Sequence, residues 1–142
     1  MNVYLAGGMA AHLYTANRVT TDVGAEFSGR IFLHDDLMAD VSREDGVPQV
    51  LYFDTNYNSA FAPMHKDYLD DAIPVDLGVD LIQVHVLSPV DLAVSKIARF
   101  AGNDKEDIAA LVCLGLTTAD EIEQRATGAM AGYISAVKPC CV

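Results

Sequence analysis

The hydrophobic pattern changes period at Ser88-Pro89, and that change limits what the chain can fold into. Before this point, short apolar runs of strand type alternate with short helical stretches. After it, every periodic stretch is helical. Residues 3–7 (VYLAG) read as a strand that runs into a Gly-Gly turn, and 9–16 (MAAHLYTA) follow with strong helix formers, Asn17 being a stop. Residues 22–27 (DVGAEF) read as a strand that Gly24 weakens, and 36–45 as a helix with Leu37, Met38 and Val41 on one side, broken by Gly46-Val47-Pro48. Residues 49–54 form a strand ending at Asp54, 55–63 a loop, and 64–73 a short amphipathic helix. In the strand at 79–88, Asp80, Ile82, Val84 and Val86 form the set expected to face the core.

The last third starts with Ser88 and Pro89, a helix-start signal. Helices are expected at 90–102 with Gly102 as the C-cap, at 103–115 capped by Asn103 or Asp104, and at 117–137. Thr118 and Glu121 have capping-box spacing, and Gly128 and Gly132 weaken the last helix. The order β-α-β-α-β-α-β followed by helices predicts one α+β or α/β domain over 1–142, with a core in 1–88 and C-terminal helices in 89–137.

Charge removes several functions. Twenty acidic residues against nine basic ones give a net charge of −11. Broad nucleic-acid binding rests on phosphate neutralisation, so it is not expected. A single nucleotide in a local pocket remains open, as does a basic partner. No apolar run is long enough to cross a membrane, and the N-terminus lacks a secretory pattern. A cytoplasmic, intracellular protein is expected. The three cysteines, Cys113, Cys140 and Cys141, form no C-x-x-C pair, and the terminal PCCV does not place cysteine for prenylation. His12, His34, His65 and His85 show no metal-ligand spacing.

The chemistry-bearing residues sit in a few short stretches. Asp22, Gly24 and Glu26 share one face of a strand, so the glycine occupies the place between two acids. Each candidate has an ordinary reading too. Gly7-Gly8 can be a simple turn, Asp22 a solvated strand-end acid and Asp54 a turn starter. Lys96 can snorkel from an apolar helix, and Asp107 can support the first turn of its own helix.

Taken together, LAGGMAAHLY followed by TTDVGAEF resembles the opening of the nucleotidyltransferase superfamily, whose small members include the MNT and AbiEii-type toxin proteins. LSPVDLAVSKIARFAGNDKEDIAALV is similar to a later element of the AbiEii-like branch. The resemblance spans roughly residues 3–112. It implies an α+β nucleotidyltransferase-like mixed sheet with flanking helices and a helical C-terminal part. It also implies transfer of a nucleoside monophosphate from an NTP, with Mg²⁺, to a protein or RNA acceptor, in a toxin–antitoxin setting with an antitoxin partner. Relatives of this kind carry a helix before the first strand, so the start at Met1 implies a short or truncated member.

Carried onto this chain, the resemblance makes Gly7 and Gly8 the phosphate-side glycines and Asp22 the first metal carboxylate. Asp54 is the candidate third carboxylate, and Lys96 and Asp107 are the late pair, the lysine contacting a phosphate. Gly24 stands where a second carboxylate belongs. Magnesium takes carboxylates together with phosphate oxygens, and two acids at i and i+2 on a strand can share it. Glu26 lies about 13 Å from Asp22 at Cα, too far to substitute in place. The alternative expectation is therefore a catalytically degenerate nucleotide-binding or protein-interaction module on the same fold.

Overall fold

The computed structural model describes residues 1–16, 20, 22–29, 38–42, 45–54, 62–78 and 80–136. Asn17, His34, residues 55–61 of the loop expected at 55–63, Cys140 and Cys141 lie outside the described residues. Among the described residues six strands form one mixed sheet: β1 (Asn2–Ala6), β2 (Asp22–Phe27), β3 (Met38–Ser42), β4 (Pro48–Phe53), β5 (Ile73–Val75) and β6 (Gln83–Val86). Their spatial order is β3-β4-β2-β1-β6-β5. Among the described residues four helices accompany them: α1 (Gly7–Thr15), α2 (Pro89–Ile97), α3 (Gly102–Cys113) and α4 (Ala119–Ala136). The architecture is the expected α+β one, with helices filling the C-terminal part. Among the described residues, no helix is long and apolar enough to cross a membrane.

The sheet gains its core face by simple alternation. Val3 and Leu5 of β1, Ala25 of β2 and Val86 of β6 are buried together with Ala10 and Ala11 of α1, Leu92 and Ala93 of α2, Leu111 of α3 and Ile122 and Ala129 of α4. Val84 and Val86 therefore face the core, as their spacing predicted. β1 pairs antiparallel with β2 and parallel with β6. The side chain of Tyr14 fastens α1 to the end of β6, donating to the Leu87 carbonyl at 2.7 Å.

Several local expectations are corrected. Residues 38–42 are strand β3, not part of a helix over 36–45, because they pair with β4 from Met38↔Tyr52 to Ser42↔Pro48. Their apolar spacing fits a helix equally well, and only the partner strand decides. The helix expected at 64–73 is replaced by turns over 66–71 and by β5, which pairs with β6. α2 stops at Ile97, and Phe100 rather than Gly102 takes the left-handed conformation (φ 50°) that reverses the chain. Gly102 instead begins α3.

The α3 cap also differs from the expected one. Ala101 occupies the cap position, and Asp104, three residues on, accepts from the Ala101 N–H at 3.0 Å. The Thr118–Glu121 capping box forms as read, the Glu121 N–H donating to Thr118 Oγ1 and the Thr118 N–H to Glu121 Oε2. α4 runs through Gly128 and Gly132 without a break. At Gly128 a Cβ would stand 3.0 Å from the His65 ring, so this glycine serves the close approach of the 62–72 segment to α4.

Candidate active site

The Gly-Gly turn leads straight from β1 into α1. Gly7 has φ +62°, a conformation that glycine takes without strain. Nothing lies within 4 Å of its missing Cβ, so backbone shape rather than crowding requires it. Ala6 stands at the cap position and has no side chain to cap the helix, and the first turn holds no acid. The leading N–H groups of α1 thus keep the electropositive end that suits an anion.

Register fixes what lies beside that helix start. Ala6 pairs with Gly24, so α1 begins at the Asp22 end of β2. β2 runs parallel to β4, with Asp22↔Tyr52 and Val23↔Phe53. The Asp54 N–H donates to the Val23 carbonyl at 3.0 Å and carries the ladder one residue further. Asp54 therefore stands beside Gly24, about 4.8 Å away at Cα, on the sheet face that also carries Asp22. Strand spacing and rise put the Cα atoms of Asp22 and Asp54 about 8 Å apart. Both side chains are exposed, while Gly24 is buried. The Thr20 hydroxyl donates to the Asp22 carbonyl (3.2 Å) and accepts from the Asp22 N–H (3.4 Å), which fixes the head of the strand.

Glu26 is tied elsewhere. It sits opposite Tyr4, and Tyr68 donates its hydroxyl to Glu26 Oε2 at 2.8 Å. Tyr4 in turn stacks on His85 of β6, with ring centroids 5.1 Å apart. Among the described residues no three His, Cys, Asp or Glu side chains gather as a metal cluster. The register brings two carboxylates, Asp22 and Asp54, to the head of β2, with Gly24 beside Asp54.

Lys96 and Asp107 come together, in the interior. Lys96 is only 5 % exposed, and its ammonium lies 2.8 Å from Asp107 Oδ2 and 3.7 Å from Asp104 Oδ1. Asp104 also takes both prongs of the Arg99 guanidinium, at 2.8 and 2.9 Å. The Arg99 hydrogen bonds hold the Asp104 carboxyl below the usual carboxylate range, against the opposing effect of burial. These contacts lock α2 to α3. α1 packs against β2 and also against both of these helices, so it joins the two acid-bearing regions.

A further network was not singled out in the sequence. Asp91 is fully buried at the start of α2, where its N–H donates to the Ser88 hydroxyl and its carboxylate accepts from it. Arg125 of α4 grips Asp91 with two hydrogen bonds of 2.7 and 2.8 Å and reaches Asp71 at 2.7 Å. Two signals were legible: Ser88-x-x-Asp91 has cap spacing, and Arg125 is the one basic residue in 119–136.

Residues 1–138 match the family described as nucleotidyltransferase of unknown function (DUF6036). The chain belongs to that family. The match covers nearly the whole chain, so the strand–Gly-Gly–helix opening and the helical C-terminal part belong to one family unit. No curated protein and no solved structure matches.

Proposed function

We propose that this nucleotidyltransferase-family chain transfers a nucleoside monophosphate from an NTP to a protein or RNA acceptor, and that it is an AbiEii/MNT-like component of a toxin–antitoxin pair. The observation that carries the reading is the β2–β4 register, which puts Asp22 and Asp54 on one sheet face beside the start of α1. Asp22 and Asp54 would hold Mg²⁺, and Gly7 and Gly8 would let the triphosphate approach the first N–H groups of α1. The ion would neutralise charge on the phosphates as pyrophosphate departs.

The rest falls to this chain's own residues. Backbone N–H groups of α1 orient the triphosphate, and Asp22 and Asp54 would hold the cation at this end of the sheet. An acceptor hydroxyl oxygen forms the new bond to the α-phosphorus, the bond to the β-phosphate oxygen breaks, and the hydroxyl proton goes to solvent. Lys96 and Asp107 support the site through α1. A direct phosphate contact by Lys96 would require its 2.8 Å bond to Asp107 to open.

Gly24 favours a second reading, a catalytically degenerate nucleotide-binding or protein-interaction module. With glycine beside Asp54, only two carboxylates serve the ion. The deciding experiment is calorimetric titration with Mg–ATP beside an AMP-transfer assay, on this chain and on Gly24→Asp. Transfer by the native chain sinks the module reading. Binding without transfer in both proteins establishes it. Loss of binding in Asp22→Ala and Asp54→Ala locates the site in either case.

A further inference from the structure

The two edges of the sheet are built differently. β5 is three residues long and contains Pro74, which cannot donate to an added strand. β3 lies at the opposite edge, pairs only with β4 among the described strands, and has no proline or lysine. All five of its residues are exposed. Among the described residues, such an edge presents a row of backbone donors and acceptors that no strand uses.

The β3 edge also leads to the candidate active site. Met38 pairs with Tyr52, and Tyr52 pairs with Asp22, so these three residues form one row across β3, β4 and β2 on a single face. Met38 is 55 % exposed and Tyr52 45 %. A strand added outside β3 would lie about 10 Å from β4, where Asp54 continues the ladder. Its side chains on that face would stand over the Met38–Tyr52 track.

Charge selects the occupant. The sequence from Met38 to Asp54 carries Asp40, Glu44, Asp45 and Asp54 against the single base Arg43, in a chain of net charge −11. Asp40 is the central residue of β3. A second copy added antiparallel about that centre would set Asp40 against Asp40, and like charges directly opposite are unfavourable. A strand with lysine or arginine there makes the favourable cross-strand pair instead.

We propose that an extended, basic segment of a partner protein adds as a strand to the outer edge of β3, and that this segment presents the acceptor side chain to Asp22 and Asp54. Docking stands on the edge geometry and charge alone. The acceptor role rests on the transfer reading above. It names the acceptor class as polypeptide, whose hydroxyl oxygen bonds to the α-phosphorus as pyrophosphate leaves and its proton goes to solvent.

The test uses the full chain, ¹⁵N-labelled, with three ten-residue peptides at about 0.15 M salt, where long-range attraction is screened. One peptide alternates lysine with valine, one glutamate with valine, and the third has the lysine composition with proline at alternate positions. Docking predicts that the lysine–valine peptide slows amide exchange in 38–42 at least tenfold, and that the other two do not. Asp40→Lys, an exposed change that leaves the fold intact, should weaken this peptide about five- to tenfold.

Equal protection by the proline peptide, protection confined to other residues, or no effect of Asp40→Lys would overturn docking. So would a β3-linked dimer of the chain alone, or an RNA oligonucleotide protecting 38–42. The binding readout needs no nucleotide, which separates the two ideas. Protected 38–42 without AMP transfer to a serine- or tyrosine-bearing version of the peptide sinks the acceptor role and leaves docking. Transfer to an acceptor that leaves 38–42 unprotected sinks docking and leaves the enzyme.

Discussion

The two groups of carboxylates in this molecule live under opposite conditions. Asp91, Asp104 and Asp107 lie almost wholly out of solvent in the helical part, each within hydrogen-bonding distance of an arginine or lysine. Asp22 and Asp54 stand exposed at the head of β2 and the end of β4, next to the start of a helix whose cap residue, Ala6, has no capping side chain. A buried charge is tolerated only with a partner, so the first group must be satisfied inside the fold. The second group stands at the sheet end, where water can solvate its charge. Acidity alone therefore marks no site; the place of each acid in the fold does.

The largest expected break in this contrast is thermodynamic. Asp91→Ala strands the Arg125 guanidinium and removes the Ser88 contact, and should cost about 3–5 kcal/mol in urea unfolding. Asp22→Ala should shift stability by no more than about 0.5 kcal/mol, and Asp54→Ala should cost less than Asp91→Ala. The contrast would collapse if these exposed changes destabilised as much as Asp91→Ala. In nucleotide titrations the order should reverse. Mg–ATP affinity should fall at least about tenfold, or 1.4 kcal/mol, in either exposed variant, and chelation of Mg²⁺ by EDTA should have a similar effect on the parent protein.

A smaller effect sharpens the packing between α4 and the 62–72 segment. Alanine is favoured over glycine inside a helix by about 1 kcal/mol, yet a Cβ at position 128 meets the His65 ring at 3.0 Å. Gly128→Ala should thus gain little or lose stability in the parent, and gain about 1 kcal/mol when His65 is also changed to Ala. A thermal-melt double-mutant cycle reads that coupling.

The smallest effect is acidic and concerns Asp104. Its carboxyl titrates below the ordinary range in the folded protein because Arg99 bonds to the ionised form. The stabilisation is present above the unfolded value near pH 4 and is lost as pH falls through the lower folded value. Asp104→Asn should flatten the pH dependence of stability below about pH 4, followed by denaturation at stepped pH. An opposite limit appears in base. Burial raises the Tyr14 hydroxyl to about 12, so its contribution should fade as pH rises from about 10 to 12.

How far the chain could be read in advance followed from whether a signal was local. The Gly7-Gly8 turn, β2, β4, β6 and the Thr118–Glu121 cap were legible, since periodicity, glycine geometry and capping chemistry act over a few residues. β3 was not, because Met38 and Val41 fit a helical spacing and become a strand only through pairing with β4. β5 was hidden by its three-residue length and its proline. At the site, Asp22 and Asp54 could be named as acids at strand ends. That they share a face, with Asp54 beside Gly24, depended on which strand lies next to β2 and in which register.

Lys96 shows the same division. By itself it is a lysine in an apolar helix, equally able to snorkel outward or to reach a ligand. Packing of α2 on α3 turns it inward onto Asp107 and Asp104. The sequence by itself determined the change from strands to helices at Ser88-Pro89, the α1 start at the Gly-Gly turn and the glycine between Asp22 and Glu26, because each is set by backbone preference over neighbouring residues. The tertiary structure alone decided which acids are buried with cations and which stay exposed at the sheet end. Burial and strand register join residues tens of positions apart, and no local preference encodes such a pairing.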